Sequence, residues 1–215
     1  MSAPARWSVQ HEALHADCKV FRVYKEHSHH PLDKREGDFF VIHSNDWVLA
    51  LPLTEDGRLV MVRQFRFGLQ DLSTETPGGV IDAGEDPVLA AVRETEEETG
   101  FAGGRATLLG SCAPNPAIQR NRCHFVLLEG VRPTGLRAPD EHEEIQVLAV
   151  SPKAALAQAL TNSAQHSLAL LALWALSALA LALGAITLWL RSLRLRDASI
   201  IDTWWGPAFV VVAGL

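Results

Sequence analysis

The segment that most constrains the fold is GGVIDAGEDPVLAAVRETEEETGF, at residues 78–101. Asp86 suits the N-cap of a helix, Pro87 its first position and Gly100 the position just past its C-terminus. The pattern therefore predicts one amphipathic helix that is entered from a glycine turn. The apolar side chains expected to bury one of its faces are Val88, Leu89, Val92 and the alanines of the first turn, Ala90 and Ala91.

Acidic residues crowd the second half of this predicted helix. Side chains three and four positions apart share a helical face, so Glu94, Glu97 and Glu98 converge while Glu96 points elsewhere. Like charges on one turn repel, whereas convergent carboxylates are the ligands that a hard divalent cation such as Mg²⁺ prefers. A solvated acidic face is the alternative interpretation, and the spacing of the neighbouring residues decides between the two.

The neighbours of the glutamates favour a cation site. Arg93 adjoins the carboxylates and can pair with Glu85, which returns from the loop before the helix. The turn at Gly78 and Gly79 lets backbone carbonyls approach the same point, because glycine has no Cβ to obstruct them.

This spacing resembles the signature of the Nudix hydrolases. A glycine is followed after five residues by a glutamate, and after seven more by Arg-Glu, a Glu-Glu pair, a glycine and an apolar residue. Thr95 departs from the pattern, because the family usually has an aliphatic residue there, and it is expected on the packed side of the helix. The matching residues are Gly79, Glu85, Arg93, Glu94, Glu97, Glu98, Gly100 and Phe101.

The resemblance implies a mixed-sheet α/β/α sandwich and a reaction. Nudix hydrolases cleave a nucleoside diphosphate linked to another moiety, through attack of water on phosphorus, with Mg²⁺ or Mn²⁺ as cofactor. The implied metal ligands are Gly78, through its carbonyl, Glu94, Glu97 and Glu98. The implied catalytic residues are Arg93, Glu97 and Glu98, and Glu85 is expected to orient Arg93.

Three further positions resemble ADP-ribose and nucleotide-sugar pyrophosphatases. The run ETPGG at residues 75–79 resembles their Glu-x-Pro-Gly-Gly lead-in, and VRQFR at residues 62–66 resembles the strand that supplies a substrate-binding arginine. A proline follows 16 residues after Gly100. The resemblance therefore implies substrate contacts from Arg66, Glu75 and Pro116. Arg66 as a surface hairpin residue and Pro116 as loop punctuation stay open as alternatives.

A second acidic run and a histidine run need interpretation. The run DEHEE at residues 140–144 precedes a predicted strand, and several relatives draw a general base or an extra metal ligand from a loop in this position. Glu141 and Glu144 are the candidates, with a solvated loop as the alternative. The histidines in HSHH, namely His27, His29 and His30, are predicted to lie in an exposed loop without a metal.

Alternating and apolar runs predict strands around the helix. A hairpin turn at residues 54–57 joins two of them, since Gly57 can take positive φ there. The predicted strands are residues 18–25, 37–43, 47–53, 58–65, 124–131 and 145–150.

Residues 168–190 contain no charged side chain over 23 positions. A hydrocarbon core of about 30 Å needs roughly 20 apolar helical residues, so this segment is predicted to span a membrane. A buried terminal helix is the alternative. The predicted layout is an N-terminal extension at 1–17, a Nudix domain at 18–165 and a terminal helix that continues into the span at 166–190. Residues 191–215 are predicted to be a juxtamembrane segment and a truncated second hydrophobic segment.

Residues 196–207, RDASIIDTWWGP, resemble the start of membrane oxidoreductases related to steroid 5-alpha-reductases. In that family a similar segment follows the first transmembrane helix. Because the part that binds the cofactor in that family has no counterpart here, reductase activity is not expected.

Charge and cysteine content narrow the location and the partners. Residues 1–165 carry 16 Lys and Arg against 23 Asp and Glu, so a nucleic-acid partner is not expected. Three scattered cysteines indicate reduced thiols. Three arginines after the apolar segment favour a cytoplasmic C-terminal side, but the N-terminus has no export signal, so the predicted domain faces the cytoplasm. If the apolar helix is buried, a soluble cytoplasmic protein is expected instead.

Beyond a metal-dependent pyrophosphatase, two other functions are compatible with the sequence. One is a Nudix-fold sensor that binds nucleotide sugars without catalysis, and the other is a membrane-tethered scaffold. A binder has no need of all three carboxylates, which favours the enzyme. A homodimer is a further possibility.

Overall fold

The computed structural model describes residues 3–138, 144–161 and 167–195. The segment that resembles membrane oxidoreductases, at 196–207, therefore lies outside the described residues. The strands are β1 Ser8–Asp17, β2 Arg22–His29, β3 Glu36–His43, β4 Trp47–Thr54, β5 Leu59–Arg66, β6 Asp71–Glu75, β7 Phe101–Ala102, β8 Arg105–Cys112, β9 Cys123–Pro133 and β10 Gln146–Val150. The helices are α1 Pro87–Thr99, α2 Pro152–Thr161 and α3 Ser167–Leu195.

The strands form two sheets. β1, β2 and β3 make an antiparallel N-terminal sheet in that order. The seven-stranded sheet has the order β10-β5-β4-β9-β7, with β6 added beside β5 and β8 beside β9. β4 and β9 are parallel, whereas the other pairings of this sheet are antiparallel, so the sheet is mixed as predicted.

Helices cover both faces of the larger sheet. Successive strand residues point to opposite faces, and in β4 Val48 and Ala50 pack towards α1 while Leu49 and Leu51 pack towards α2 and α3. The two cores therefore lie on either side of one sheet. This arrangement confirms the mixed-sheet α/β/α architecture.

The caps of α1 are those that the sequence predicts. Asp86 accepts hydrogen bonds from the backbone nitrogens of Val88 and Leu89, and Gly100 ends the helix with φ of 70°. The predicted buried face is wrong at Leu89, which is 63% exposed. Ala90, Ala91 and Thr95 are fully buried as predicted, and their small side chains let the helix approach the sheet closely.

The loop predicted for the histidine run is wrong at His27 and His29. The second strand covers Arg22–His29 rather than residues 18–25, so His27 and His29 lie in β2 and not in a loop. His30 follows the strand, and its Nδ1 lies 2.7 Å from Asp33 Oδ1. The run forms a strand because β1 and β3 pair with it on both sides. The hairpin at Gly57, with φ of 76°, is confirmed.

α3 begins in the core and ends outside it. Its buried residues are Leu168, Ala169, Ala172, Leu173 and Leu176. Further along, exposed apolar residues follow one another at Leu183, Ile186, Trp189, Leu190 and Leu193. The stretch Leu171–Arg191, with mean hydropathy of 2.2, is long and apolar enough to cross a membrane by length and composition alone. The described apolar side chains that pack in the core therefore end at Leu176, and those of the later part of the helix are mostly exposed.

Candidate functional site

The glycine turn lies in close contact with β4. The amide of Val48 donates to the carbonyl of Gly79 at 2.9 Å, and the amide of Ala50 donates to that of Pro77 at 2.8 Å. A Cβ at Gly78 would lie 2.1 Å from the carbonyl oxygen of Val48. Only glycine therefore fits at position 78. The backbone at Gly78 lies between β4 and the end of α1.

The amide of Gly78 holds one of the glutamates. It donates to Glu98 Oε2 at 3.0 Å, and the residue Glu98 is only 3% exposed. An N–H aimed at a carboxylate makes a charge-assisted hydrogen bond, which stabilises the ionised form. The metal contact predicted for the Gly78 carbonyl stays a prediction.

Arg93 ties three other glutamates together. Its Nε and one terminal nitrogen donate to the two carboxylate oxygens of Glu85, both at 3.0 Å. Its second terminal nitrogen donates to Glu94 Oε1 at 2.8 Å and to Glu97 Oε2 at 3.0 Å. The predicted contact between Arg93 and Glu85 is therefore present. Arg93 also orients Glu94 and Glu97.

These ion pairs shift the titration of both partners. The hydrogen bonds that Arg93 donates to Glu85, and then to Glu94 and Glu97, raise the pKa of Arg93 above its ordinary value. Hydrogen bonds from Arg93 and from the Asp82 amide lower the pKa of Glu85. Both groups are therefore charged at neutral pH.

The cluster has an excess of negative charge. One guanidinium contacts the carboxylates of Glu85, Glu94 and Glu97, and Glu98 follows Glu94 by one helical turn. Burying several neighbouring carboxylates is costly, and Glu94 is 14% exposed at its side chain while Glu98 is almost fully buried. A cation bound to these oxygens removes that cost, so the donor set fits Mg²⁺ or Mn²⁺.

Gly79 leaves room for one of these oxygens. A Cβ at position 79 would lie 2.4 Å from Glu94 Oε1. The carboxylate therefore occupies the space that any other residue's side chain would fill. Position 79 is therefore a glycine because the Glu94 carboxylate lies where a Cβ would be.

The departure at Thr95 does not disturb the glutamates. Thr95 is fully buried on the sheet side of α1, as predicted, and its hydroxyl donates to the carbonyl of Ala91 at 2.6 Å. A hydroxyl that bonds the preceding turn of its own helix is satisfied without any other partner.

The two predicted substrate residues Arg66 and Glu75 contact each other. Arg66 Nε donates to Glu75 Oε1 at 3.0 Å and a terminal nitrogen donates to Glu75 Oε2 at 2.8 Å. The Glu75 side chain is 1% exposed whereas that of Arg66 is 39% exposed. A buried carboxylate therefore fixes the direction of a guanidinium at the surface.

Pro116 lies in an exposed loop that is hydrogen-bonded to β3. The amide of Ile42 donates to the carbonyl of Ile118 at 2.7 Å, and the amide of Arg120 donates to that of Ile42 at 2.9 Å. Arg120 also donates to the buried Glu26 of the N-terminal sheet at 2.7 Å. The loop is thus fastened to the N-terminal sheet, and the role of Pro116 stays a prediction.

Of the two candidate bases, Glu141 lies outside the described residues. Glu144 is exposed just before β10 and lines a cavity of about 530 Å³ together with Arg63, Phe65, Phe67 and Leu72. Its catalytic role stays a prediction.

Arg137 contacts the C-terminal end of α1, although the sequence analysis did not identify it. It donates to the carbonyl of Glu98 and to that of Ile145, both at 3.0 Å. A Cβ at Gly100 would lie 2.9 Å from Arg137 Cγ, so the glycine also makes room for this side chain. Arg137 therefore links the residue before β10, Ile145, to the C-terminal end of the glutamate helix. No charge spacing or motif marks such a contact to backbone carbonyls.

Comparison with known proteins agrees with this geometry. The NUDIX domain family matches residues 44–171, which is more than half of the chain. An ADP-ribose pyrophosphatase of Bacillus subtilis (strain 168) is 32% identical over 139 residues, which cover 64% of this chain and 75% of that protein. A methanol dehydrogenase activator of Bacillus methanolicus is 31% identical over 110 residues, or 51% of this chain and 60% of that protein.

Among solved structures, the crystal structure of an ADP compounds hydrolase superimposes with a TM-score of 0.73. The match covers 83% of this chain and 96% of that one at 20% identity. At this identity the likeness concerns the fold.

Proposed function

Because the chain belongs to the Nudix hydrolase family, we propose that this pyrophosphatase cleaves ADP-ribose or a related nucleotide sugar with the help of Mg²⁺ or Mn²⁺. The observation that carries the proposal is the cluster of carboxylates around Arg93, whose negative charge exceeds its positive charge. A site built only to bind a nucleotide sugar would repel the diphosphate with these carboxylates unless a cation lay between them.

The residues of α1 hold and orient the cation. Glu94, Glu97 and Glu98 supply the carboxylate oxygens, Arg93 fixes the first two and the Gly78 amide fixes the third. When bound, the ion neutralises charge on the diphosphate and makes water a better nucleophile. Water then attacks one phosphorus, the bond from that phosphorus to the bridging oxygen breaks, and ADP-ribose yields AMP and ribose 5-phosphate.

A panel of nucleotides tests the activity. We expect Mg²⁺-dependent release of AMP from ADP-ribose or another ADP-sugar, in preference to nucleoside triphosphates and dinucleoside polyphosphates. Binding without turnover would favour the nucleotide-sugar sensor. If the chain neither binds nor hydrolyses any of these nucleotides, the membrane-tethered scaffold is favoured. The possible homodimer stays a prediction.

Arg66 tests how the substrate is bound. We expect Arg66→Ala to raise KM more than it lowers kcat, because a contact made equally in the ground and transition states changes binding rather than chemistry. Steady-state kinetics with ADP-ribose measures this split, and Arg58→Ala, which changes an exposed arginine just before the same strand, serves as the control. A loss confined to kcat would contradict the binding role.

We also propose that the end of α3 inserts into a lipid membrane while the Nudix domain faces the cytoplasm. The uncharged residues 177–190 extend past the core for about 21 Å, and Leu183, Ile186 and Trp189 are exposed on them. This is shorter than a hydrocarbon core of about 30 Å, so the flanking Arg191 and Arg194 would reach towards head groups. The resemblance of residues 196–207 to membrane oxidoreductases supports the same proposal.

Flotation with phospholipid vesicles tests the membrane contact. We expect the full chain to float with the vesicles, and a chain that ends at residue 176 to stay behind, because the truncation keeps the buried part of α3 and removes the exposed part. A full chain that does not float contradicts the proposal. Protection of the exposed Cys18 from an impermeant thiol reagent in intact cells tests the orientation.

A further inference from the structure

A group of metal-ligating side chains lies on the N-terminal sheet, away from the glutamate cluster. In the register of β2 and β3, His29 lies opposite Glu36 and His27 lies opposite Asp38. Paired residues and residues two apart on a strand share a face. The two imidazoles and two carboxylates therefore stand together on one face of the β2–β3 hairpin.

The distances between their ligand atoms suit one ion. His29 Nε2 lies 2.9 Å and His27 Nε2 lies 3.9 Å from Glu36 Oε2. All three ligand atoms lie within 4.8 Å of one another. Around a tetrahedral Zn²⁺ with bonds of about 2.0–2.1 Å, neighbouring ligand atoms are about 3.3 Å apart. The measured distances lie on either side of this value, so small rotamer changes bring the three atoms onto one ion.

Asp38 orients one of the imidazoles from behind. His27 Nδ1 lies 2.8 Å from Asp38 Oδ1, and the other oxygen of Asp38 is held by Lys25 Nζ at 2.7 Å. In metal sites the second ring nitrogen of a histidine ligand commonly donates to a carboxylate, which fixes the tautomer and turns the first nitrogen towards the ion. Asp38 leaves His27 Nε2 directed at Glu36 in the same way.

From this geometry we propose that His27, His29 and Glu36 bind a divalent transition-metal ion of the Zn²⁺ class. Two imidazole nitrogens and one carboxylate suit such an ion, whereas Mg²⁺ prefers a shell of oxygens, as in the glutamate cluster. The ion would link β2 directly to β3, the two strands that residues 30–35 connect. The proposed role is to stabilise the N-terminal sheet, and it is independent of the reaction at α1.

Zinc binding by the full chain tests the site. Excess Mg²⁺ occupies the glutamate cluster, and Zn²⁺ affinity is measured by competition with a chromogenic chelator. We expect one Zn²⁺ per chain and a rise in Tm with Zn²⁺, because an ion that binds only the folded state stabilises it. His27→Ala and His29→Ala should each weaken binding by at least about 10-fold, and Asp38→Asn by about 10-fold.

His15→Ala is the matched control, because His15 is an exposed histidine of the same sheet outside the group. Circular dichroism of each variant confirms the fold. The proposal is overturned if the chain binds no Zn²⁺ under these conditions. It is equally overturned if binding survives His27→Ala and His29→Ala but is lost in Glu98→Gln, since the ion then lies in the glutamate cluster.

Discussion

Replacing Glu98 with glutamine is expected to reduce hydrolysis by at least about 100-fold without unfolding the protein. The substitution keeps the size of the side chain and can still accept the hydrogen bond from the Gly78 amide, but it removes one negative charge from the cation site. Changes to residues that only orient a ligand cost about 10–100-fold in affinity or activity, so loss of a charged ligand should cost more. Turnover at saturating Mg²⁺ measures the effect.

Stability separates this loss from misfolding. The rise in Tm that Mg²⁺ gives the parent chain should be much smaller in Glu98→Gln, because the ion stabilises only a state that binds it. Without metal its Tm should not fall, since one repulsive carboxylate is gone. Glu96→Gln is the matched control: it makes the same charge change on the same helix but off the convergent face. If Glu97→Gln and Glu98→Gln both keep near-parent turnover, the assignment of catalysis to α1 is contradicted.

The glutamate helix was predictable because its determinants are local. Capping side chains, a proline and a glycine mark its ends, and the 3.6-residue period alone brings Glu94, Glu97 and Glu98 together. The hydrogen bonds of Arg93 to Glu85 and Glu94 follow from the same short segment. Most of the candidate site is thus encoded within 23 residues.

What the sequence did not predict depends on pairing between distant segments. β1 is exposed on nearly every residue, so no alternation of apolar and polar positions marks it as a strand. His27 and His29 become part of a side-chain group only when β3 brings Glu36 and Asp38 opposite them. Similarly, Arg137 acts through two backbone carbonyls from separate segments, which composition cannot indicate.

The apolar stretch of 23 residues shows how one pattern fits two environments. Its first part is core, because Leu168 and Leu173 fill the space beside Leu49 and Met61, and its later part is exposed. Because the hydropathy of this stretch is uniform, the sequence does not show at which residue burial ends. Only the packing against the sheet divides the helix near Leu176.

Alanine at either of the two adjacent glycines is expected to harm the protein in a different way: at Gly79 it changes the Mg²⁺ dependence, and at Gly78 it lowers the stability. A Cβ at Gly79 meets the end of the Glu94 side chain, which can swing away, so the fold should survive with an unfolding free energy within about 1 kcal/mol of the parent. The displaced carboxylate also leaves its hydrogen bond with Arg93. We therefore expect Gly79→Ala to raise the Mg²⁺ concentration for half-maximal activity by about 10–100-fold.

A Cβ at Gly78 meets the backbone of Val48 instead, in a central strand of the sheet, and nothing there can move without shifting β4. Gly78→Ala should therefore lose about 3 kcal/mol of unfolding free energy, at the upper end for overpacking a core. Denaturant unfolding and Mg²⁺-dependent turnover, measured on both variants, separate the two effects. If Gly79→Ala keeps the parent's Mg²⁺ dependence, Glu94 is not a ligand of the catalytic ion, because the alanine leaves its carboxylate no room to stay in place.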